Sequence, residues 1–317
     1  MMPDSAGTLL AGLLTVIASS FIASLCLPLL NRLARRISAP QQVYLMMSYG
    51  LLPWIVALWV VLALLHPQLA GSLFSEHCHG DICGLHTPHM AAASLGGALL
   101  ASLISVAALL PVLAAGQRLW SAQKRLHSIE RLSQSAPGQP PDAHPGQPYR
   151  IIDTPHPLAW SAGLLRPQVY VSSGLLQRLT AAQLQMVLLH EYCHCWRRDN
   201  LRKLLLHWAT LFWLPPLRRH FRRAYALSTE QLCDAFVQQQ GFSQQQLTAV
   251  LQQLEGRQPA TAQTPAGSHI RLRLSALNSP RPYTVSADAW LLVFILLAGQ
   301  TALFTHLSHP LLDALYY

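Results

Sequence analysis

The 317 residues are 51% hydrophobic and only 11% charged, and 22 Lys and Arg against 13 Asp and Glu leave a net charge of +9. That balance is too apolar for an ordinary soluble enzyme or a disordered chain. The cations lie beside long apolar runs, so they point to a bilayer surface and to no direct binding of nucleic acid.

Leu9–Leu30, Tyr44–Leu65 and Met90–Ala115 contain no Asp, Glu, Lys or Arg, and each is long enough to cross the hydrocarbon core as a helix. Trp290–Leu307 is a fourth, shorter span. Pro28, Pro53 and Pro111 fall within or near the ends of these runs, as membrane helices tolerate. The first run does not read as a cleaved signal peptide. No Lys or Arg precedes it, whereas Arg32, Arg35 and Arg36 follow at once. Those arginines hold the next loop in the cytoplasm and leave the N-terminus outside. Alternation then puts 66–89 outside, 116–288 inside and the tail outside, so that all 22 Lys and Arg are cytoplasmic.

The external segment His66–His89 holds His66, His77, His79, His86 and His89 with Cys78, Asp81 and Cys83. With His306 and His309, seven of the 15 histidines lie in or beside external segments. Two readings stand for His77, Cys78, His79 and Cys83. Cys78 and Cys83 close a disulfide loop in an oxidising periplasm, or the group is a sensing loop for copper or zinc.

After the third span, Gln117–Leu132 continues as a helical extension. Ser133–Pro148, dense in Pro, Gly, Gln and Ser, is expected to lack fixed structure. Tyr149–Asp153, Leu158–Leu164 and Gln168–Ser172 are short runs bounded by Pro and Gly, and they read as strands of a small sheet. Thr180 with Gln183 forms a capping box. The helix it opens is expected to end near Asp199 or Asn200. Leu201–Leu217 is apolar but interrupted by Arg202, Lys203 and His207 and broken by Pro215-Pro216. It fits an interfacial or re-entrant helix, or one buried beneath its predecessor. Residues 221–254 read as two further helices, Gln258–Ser268 as a loose segment, and His269–Leu277 as a short helix or strand. Arg218, Arg219, Arg222 and Arg223 form the densest basic cluster, read first as lipid-facing.

The helix opened at Thr180 contains His190-Glu191-Tyr192-Cys193-His194. At i and i+4 the two imidazoles project from one face, the spacing at which both can hold one Zn²⁺, with Glu191 beside them to move a proton. A catalytic zinc takes a third protein ligand and keeps one position for water. Glu130, Asp142, Asp153, Asp199, Glu230, Asp234, Glu255 and Asp288 are the other carboxylates of the segment. Glu230 is the best candidate, because Asp234 lies one turn along the same helical face, placed to accept the N–H of a ligating histidine.

These stretches resemble the membrane-embedded zinc metallopeptidases of the BlaR/MecR antibiotic-response type. The resemblance rests, in order, on Gly163-Leu164-Leu165-Arg166-Pro167 with Val169-Tyr170-Val171, on Ser173-Gly174-Leu175-Leu176, and on the His190–His194 helix with Arg197-Arg198-Asp199. Phe212-Trp213-Leu214-Pro215 and Glu230-Gln231-Leu232-Cys233-Asp234 complete it. It covers roughly residues 150–280, and the four-span frame fits. More distantly the chain is similar to membrane proteases that process prenylated or misfolded membrane proteins.

The resemblance implies a mainly α membrane protein of the bacterial inner membrane, with four transmembrane helices and a cytoplasmic α+β gluzincin domain built on a small sheet. Residues 1–115 would carry three spans and the external loop, 116–148 the extension and linker, 149–285 the peptidase domain, and 286–317 the last span and tail. His190, His194 and Glu230 would hold one Zn²⁺, Glu191 would be general base and acid, and Asp234 would orient a histidine. For the oxyanion, Arg271, Arg273, His269 and Tyr225 all stand as candidates. Cys193, Cys195 and Cys233 are expected to be free thiols packed beside the site. The family's sensor-transducers carry a large external domain after the last span. This sequence stops at Tyr317, so penicillin sensing by that route is not expected.

Three functional classes follow. The leading one is a zinc endopeptidase cleaving a cytoplasmic protein, by resemblance a winged-helix repressor. The second is a transducer acting by conformational change with little proteolysis. The third is a scaffold with a structural zinc, against which Glu191 argues.

Overall fold

The computed structural model describes residues 5–34, 37–66, 78–79, 82–83, 95–135, 148–255, 272–275, 277 and 287–316. Most of them are helical. Four helices are long and apolar enough to cross a membrane: α1 (Ser5–Ala34), α2 (Ala39–Leu65), α3 (Leu95–Leu132) and the last helix of the chain, α9 (Ala287–Tyr316). The third span and the expected extension are one continuous helix, since nothing after Pro111 interrupts the i→i−4 ladder. Helices α1 and α2 pack closely, the Tyr49 hydroxyl donating to the Ala23 carbonyl at 2.5 Å, and the Ser19 hydroxyl donates to Gln300 Oε1 of α9. Between α2 and α3, β1 (Cys78–His79) and β2 (Ile82–Cys83) pair antiparallel with Cys78 opposite Cys83. His77, His86 and His89 lie outside the described residues.

The remaining elements are β3 (Gln134–Ser135), β4 (Tyr149–Ile152), β5 (Ala159–Ala162), β6 (Gln168–Ser172), α4 (Ser173–Leu176), α5 (Ala181–Arg197), α6 (Asp199–Ala209), α7 (Pro215–Gln239) and α8 (Gln244–Glu255). The strands form one mixed sheet in the order β3-β4-β6-β5, with β4 and β6 parallel and the outer pairs antiparallel. Strand β3 corrects the expectation of an unstructured linker from Ser133. The Arg150 side chain donates to Ser133 Oγ and to the Glu130 and Ser133 carbonyls. It thereby satisfies orphan carbonyls at the C-terminus of α3 and holds Gln134–Ser135 against β4.

Two further boundaries differ from expectation. Helix α5 ends at Arg197, because Arg198 adopts a left-handed conformation at φ 53° and α6 begins at once. Helix α7 starts at Pro215 rather than near 221, its two prolines occupying the first turn, where no backbone donor is lost.

Two apolar clusters frame the site. One joins α1 and α2 to Leu206, Trp213, Phe221, Tyr225, Leu232 and Cys233. The other packs β6, α5 and α8 around Val169, Val171, Leu188, Val250 and Leu251. Helices α5 and α7 contribute to both.

Candidate metal centre

Helix α5 is fixed at its start. Thr180 Oγ1 accepts from the Gln183 amide, and Gln183 Oε1 accepts from the Thr180 amide. Its buried face presents His190 and His194, 7% and 6% exposed. Helix α7 crosses it and brings Glu230 and Asp234, one turn apart, to the same point.

The structure brings together three of the residues read from the sequence. His190 Nε2 lies 3.2 Å from Glu230 Oε2, His194 Nε2 lies 3.5 Å from Glu230 Oε1, and the two Nε2 atoms are 3.3 Å apart. Tetrahedral zinc with bonds of about 2.0–2.2 Å to N and O sets its ligand atoms about 3.3–3.5 Å apart. All three separations fit that edge length to within about 0.1 Å.

The opposite sides of the rings make the argument sharper. His190 Nδ1 faces Asp234 Oδ1 at 3.1 Å, and His194 Nδ1 faces Asp199 Oδ2 at 2.8 Å. A carboxylate only accepts at neutral pH, so each Nδ1 carries its hydrogen and each neutral ring turns the lone pair of Nε2 inward. Two lone pairs and a carboxylate then converge on one point. Such an arrangement is favourable only with a cation at its centre, a proton or a metal ion.

The ionisation behaviour agrees. Burial and Arg273 both pull the His190 imidazole down, yet hydrogen bonds to Asp234 and Glu230 carry it up to about 10. His194 is lowered by burial but raised overall, through Asp199 and Glu230. Burial raises the Glu230 carboxyl, and the hydrogen bonds of the two histidines more than reverse this, holding it well below the usual range.

Asp199 and Arg273 complete the centre, and neither was assigned this place from the sequence. Asp199 reaches back to His194 because the left-handed turn at Arg198 folds α6 against α5. Its second oxygen accepts from Arg197 Nε at 3.3 Å. Arg273 grips Asp234 with two donors at 2.5 and 2.8 Å and lies 3.4 Å from Glu230 Oε2. Arg273 had been a candidate for the oxyanion; here its guanidinium is taken up by those two carboxylates. Tyr225, 2% exposed, packs in the membrane-side cluster. His269 and Arg271 lie outside the described residues. The signals that could have found Asp199 and Arg273 were a carboxylate five residues past His194 and an arginine in the segment after the loose stretch.

Glu191 is half-buried on α5 beside the histidines. Among the described residues its carboxylate makes no hydrogen bond, and Arg273 acts on it through space. Cys193, Cys195 and Cys233 are buried free thiols. Cys233 Sγ lies 3.4 Å from His194 Nδ1 and is hydrogen-bonded with Cys193, which makes His194, Asp199 and Cys233 a second group of donors on the far side of that ring.

Strand β5 is an edge of the sheet: among the described residues β6 is its only strand neighbour. The Ser172 amide donates to the Leu158 carbonyl, so with the register of β5 on β6 the backbone groups of Ala159 and Ser161 face outward. Asn200 takes one of them, its Nδ2 donating to the Ser161 carbonyl at 3.1 Å.

Residues 148–277 match the family described as BlaR1 peptidase M56. No curated protein and no solved structure matches the chain.

Proposed function

Taking residues 148–277 as a peptidase segment of the BlaR1 M56 family, we propose that the chain is a zinc-dependent endopeptidase of the bacterial inner membrane. Its site faces the cytoplasm, both termini lie outside, and its substrate is a cytoplasmic protein, in the first instance a transcriptional repressor. The fold around the site is read as zincin-like, with 149–285 as the peptidase domain.

The observation that carries this reading is the convergence of two inward lone pairs and one carboxylate at 3.2–3.5 Å. His190, His194 and Glu230 would hold Zn²⁺, with Asp234 and Asp199 fixing the two tautomers. When bound, the ion supplies a Lewis acid that acidifies water and polarises a carbonyl. Glu191 takes the proton of the attacking water and later hands it to the leaving amine. The outward groups of Ala159 on β5 pair with an extended substrate backbone, and Asn200 limits that pairing at Ser161. Arg273 keeps Asp234 and Glu230 ionised and in place.

Glu191→Gln tests the assignment. It removes the proton carrier without touching the ligand set, so cleavage should fall by about 10²–10⁴-fold while zinc content stays at the wild-type level. Comparing the proteomes of cells carrying either form should reveal a fragment that depends on the glutamate. An equal fragment pattern in both would refute a peptidase.

A further inference from the structure

Strands β1 and β2 lie between α2 and α3, two helices of membrane-crossing length. Their register sets Cys78 opposite Cys83 and His79 opposite Ile82. Gly80 and Asp81 are the residues that separate the strands, a length and composition suited to a two-residue hairpin connection. The pair flanking such a connection exchanges both backbone hydrogen bonds, which makes His79 and Ile82 the hydrogen-bonded pair. By the alternation of an antiparallel ladder, Cys78 and Cys83 are then a non-hydrogen-bonded pair, the kind whose side chains stand closer.

The Cα atoms of such a pair are about 4.5 Å apart, inside the roughly 4.4–6.8 Å that a disulfide spans. Successive residues of a strand alternate between faces. Cys78 and Cys83 therefore share one face of the ribbon, and His79 and Ile82 the other. A soft-metal site built on both cysteines and His79 would need ligands from opposite faces, whereas a bond between the two sulfurs needs only one. Among the described residues the ribbon has no third strand, and an isolated two-stranded ribbon is marginal in water. A covalent staple supplies the missing support.

The two ends of α2 face different surroundings. At its start the Ser228 hydroxyl donates to Gln42 Oε1 at 2.9 Å, two residues before Glu230, so this end lies beside the metal centre. The helix then runs 27 residues to Leu65, about 40 Å. Helix α3 returns from the far side, its last carbonyls held by Arg150 of the sheet. The hairpin and the metal centre are thus separated by the span of α2. With the metal centre in the reducing cytoplasm, as the proposed function has it, the hairpin stands in an oxidising compartment, where disulfides persist.

We infer that Cys78 and Cys83 are an oxidation site that closes into a disulfide across the hairpin, and that its chemical partner is a protein disulfide carrier of the outer compartment. One cysteine thiolate attacks the carrier's disulfide and forms a mixed disulfide. The second thiolate attacks the sulfur of the first and releases the carrier as a dithiol. One S–S bond forms in the hairpin as one breaks in the carrier, and two electrons and two protons pass from the cysteines to the carrier. The closed bond pins the register of a ribbon too short to pin itself.

Trapping with N-ethylmaleimide at lysis, followed by the intact mass of the denatured full chain, counts the free thiols. The chain has six cysteines. Cys26, Cys193, Cys195 and Cys233 should label without reductant, and Cys78 and Cys83 only after reduction. Cys78→Ser should leave Cys83 reactive, so that every remaining cysteine labels with or without reductant, whereas Cys26→Ser should leave the protected pair unchanged. Labelling of all cysteines before reduction overturns the disulfide, as does a protected pair that survives Cys78→Ser. Zinc or copper above one ion per chain, lost in Cys78→Ser, would overturn it in favour of a metal site. On intact spheroplasts an impermeant maleimide should reach the pair once an impermeant reductant is added. If the pair reacts only after the membrane is opened, the orientation falls and the inference with it. Glu191→Gln should give the wild-type thiol count, so failure of the hairpin and failure of the peptidase reading are told apart.

Discussion

Helix α7 carries charge at both ends and treats it in opposite ways. Near its C-terminal half, Glu230 and Asp234 face the two histidines and Arg273, with Lys203 4.0 Å from Glu230. Near its N-terminus, Arg218 donates to the His207 carbonyl at 3.2 Å, and burial, then Arg222, Arg218 and Arg118, push the His207 imidazole down to about 4. The first end is closed upon itself, its carboxylates facing imidazole and guanidinium nitrogens at 2.5–3.5 Å. At the second end no carboxylate pairs with Arg218 or Arg222 among the described residues. Charge pairing inside a protein fixes geometry, while like charges brought together without a partner cost free energy.

Substitutions that break the closed end should have the largest effects. Glu230→Gln removes one of the three converging groups and should lower zinc affinity by more than about 100-fold, exceeding the loss usual for outer partners. Metal analysis after dialysis against a weak chelator measures it, and a fully loaded variant would mean that Glu230 is no ligand. Asp199→Asn and Asp234→Asn release the tautomers instead of the metal. Each should weaken zinc binding by about 10–100-fold, with Asp234→Asn also freeing Arg273. If either leaves affinity untouched, the carboxylate–histidine contact on that side has no role in orientation.

A smaller and graded effect is expected from pH. His190 is held up to about 10 against an ordinary 6.5. In the metal-free protein the stability from that proton is fully present below pH 6.5 and is lost as pH rises through about 10. Zinc must displace the proton, so its affinity should climb by up to about tenfold per pH unit for each proton released, levelling off near pH 10. Calorimetry in buffers of different ionisation enthalpy counts those protons. A flat affinity between pH 7 and 9 would contradict the reading that a proton holds the centre of the metal-free site.

What could be read from the residues alone divides along local and non-local lines. The i, i+4 spacing of His190 and His194, the capping box of Thr180 and Gln183, and the one-turn spacing of Glu230 and Asp234 are all set within a single helix, and the pattern states them directly. The four membrane-length helices were likewise visible, because a bilayer demands a long uncharged run. Asp199 was hidden because its contact depends on a left-handed residue, Arg198, where glycine would ordinarily be the signal. Arg273 was hidden because 39 residues separate it from Asp234. Strand β3 is two residues long, too short for periodicity, and exists through side-chain contacts from Arg150.

X-ray absorption at the zinc edge on the purified full-length protein tests the central claim most directly. The account predicts one zinc per chain with a shell of nitrogen and oxygen only, at about 2.0–2.2 Å, including two imidazoles. A sulfur neighbour at about 2.3 Å would instead place the metal on the side of His194 shared with Asp199 and Cys233, and would contradict the assignment of Glu230 and both inward-facing nitrogens.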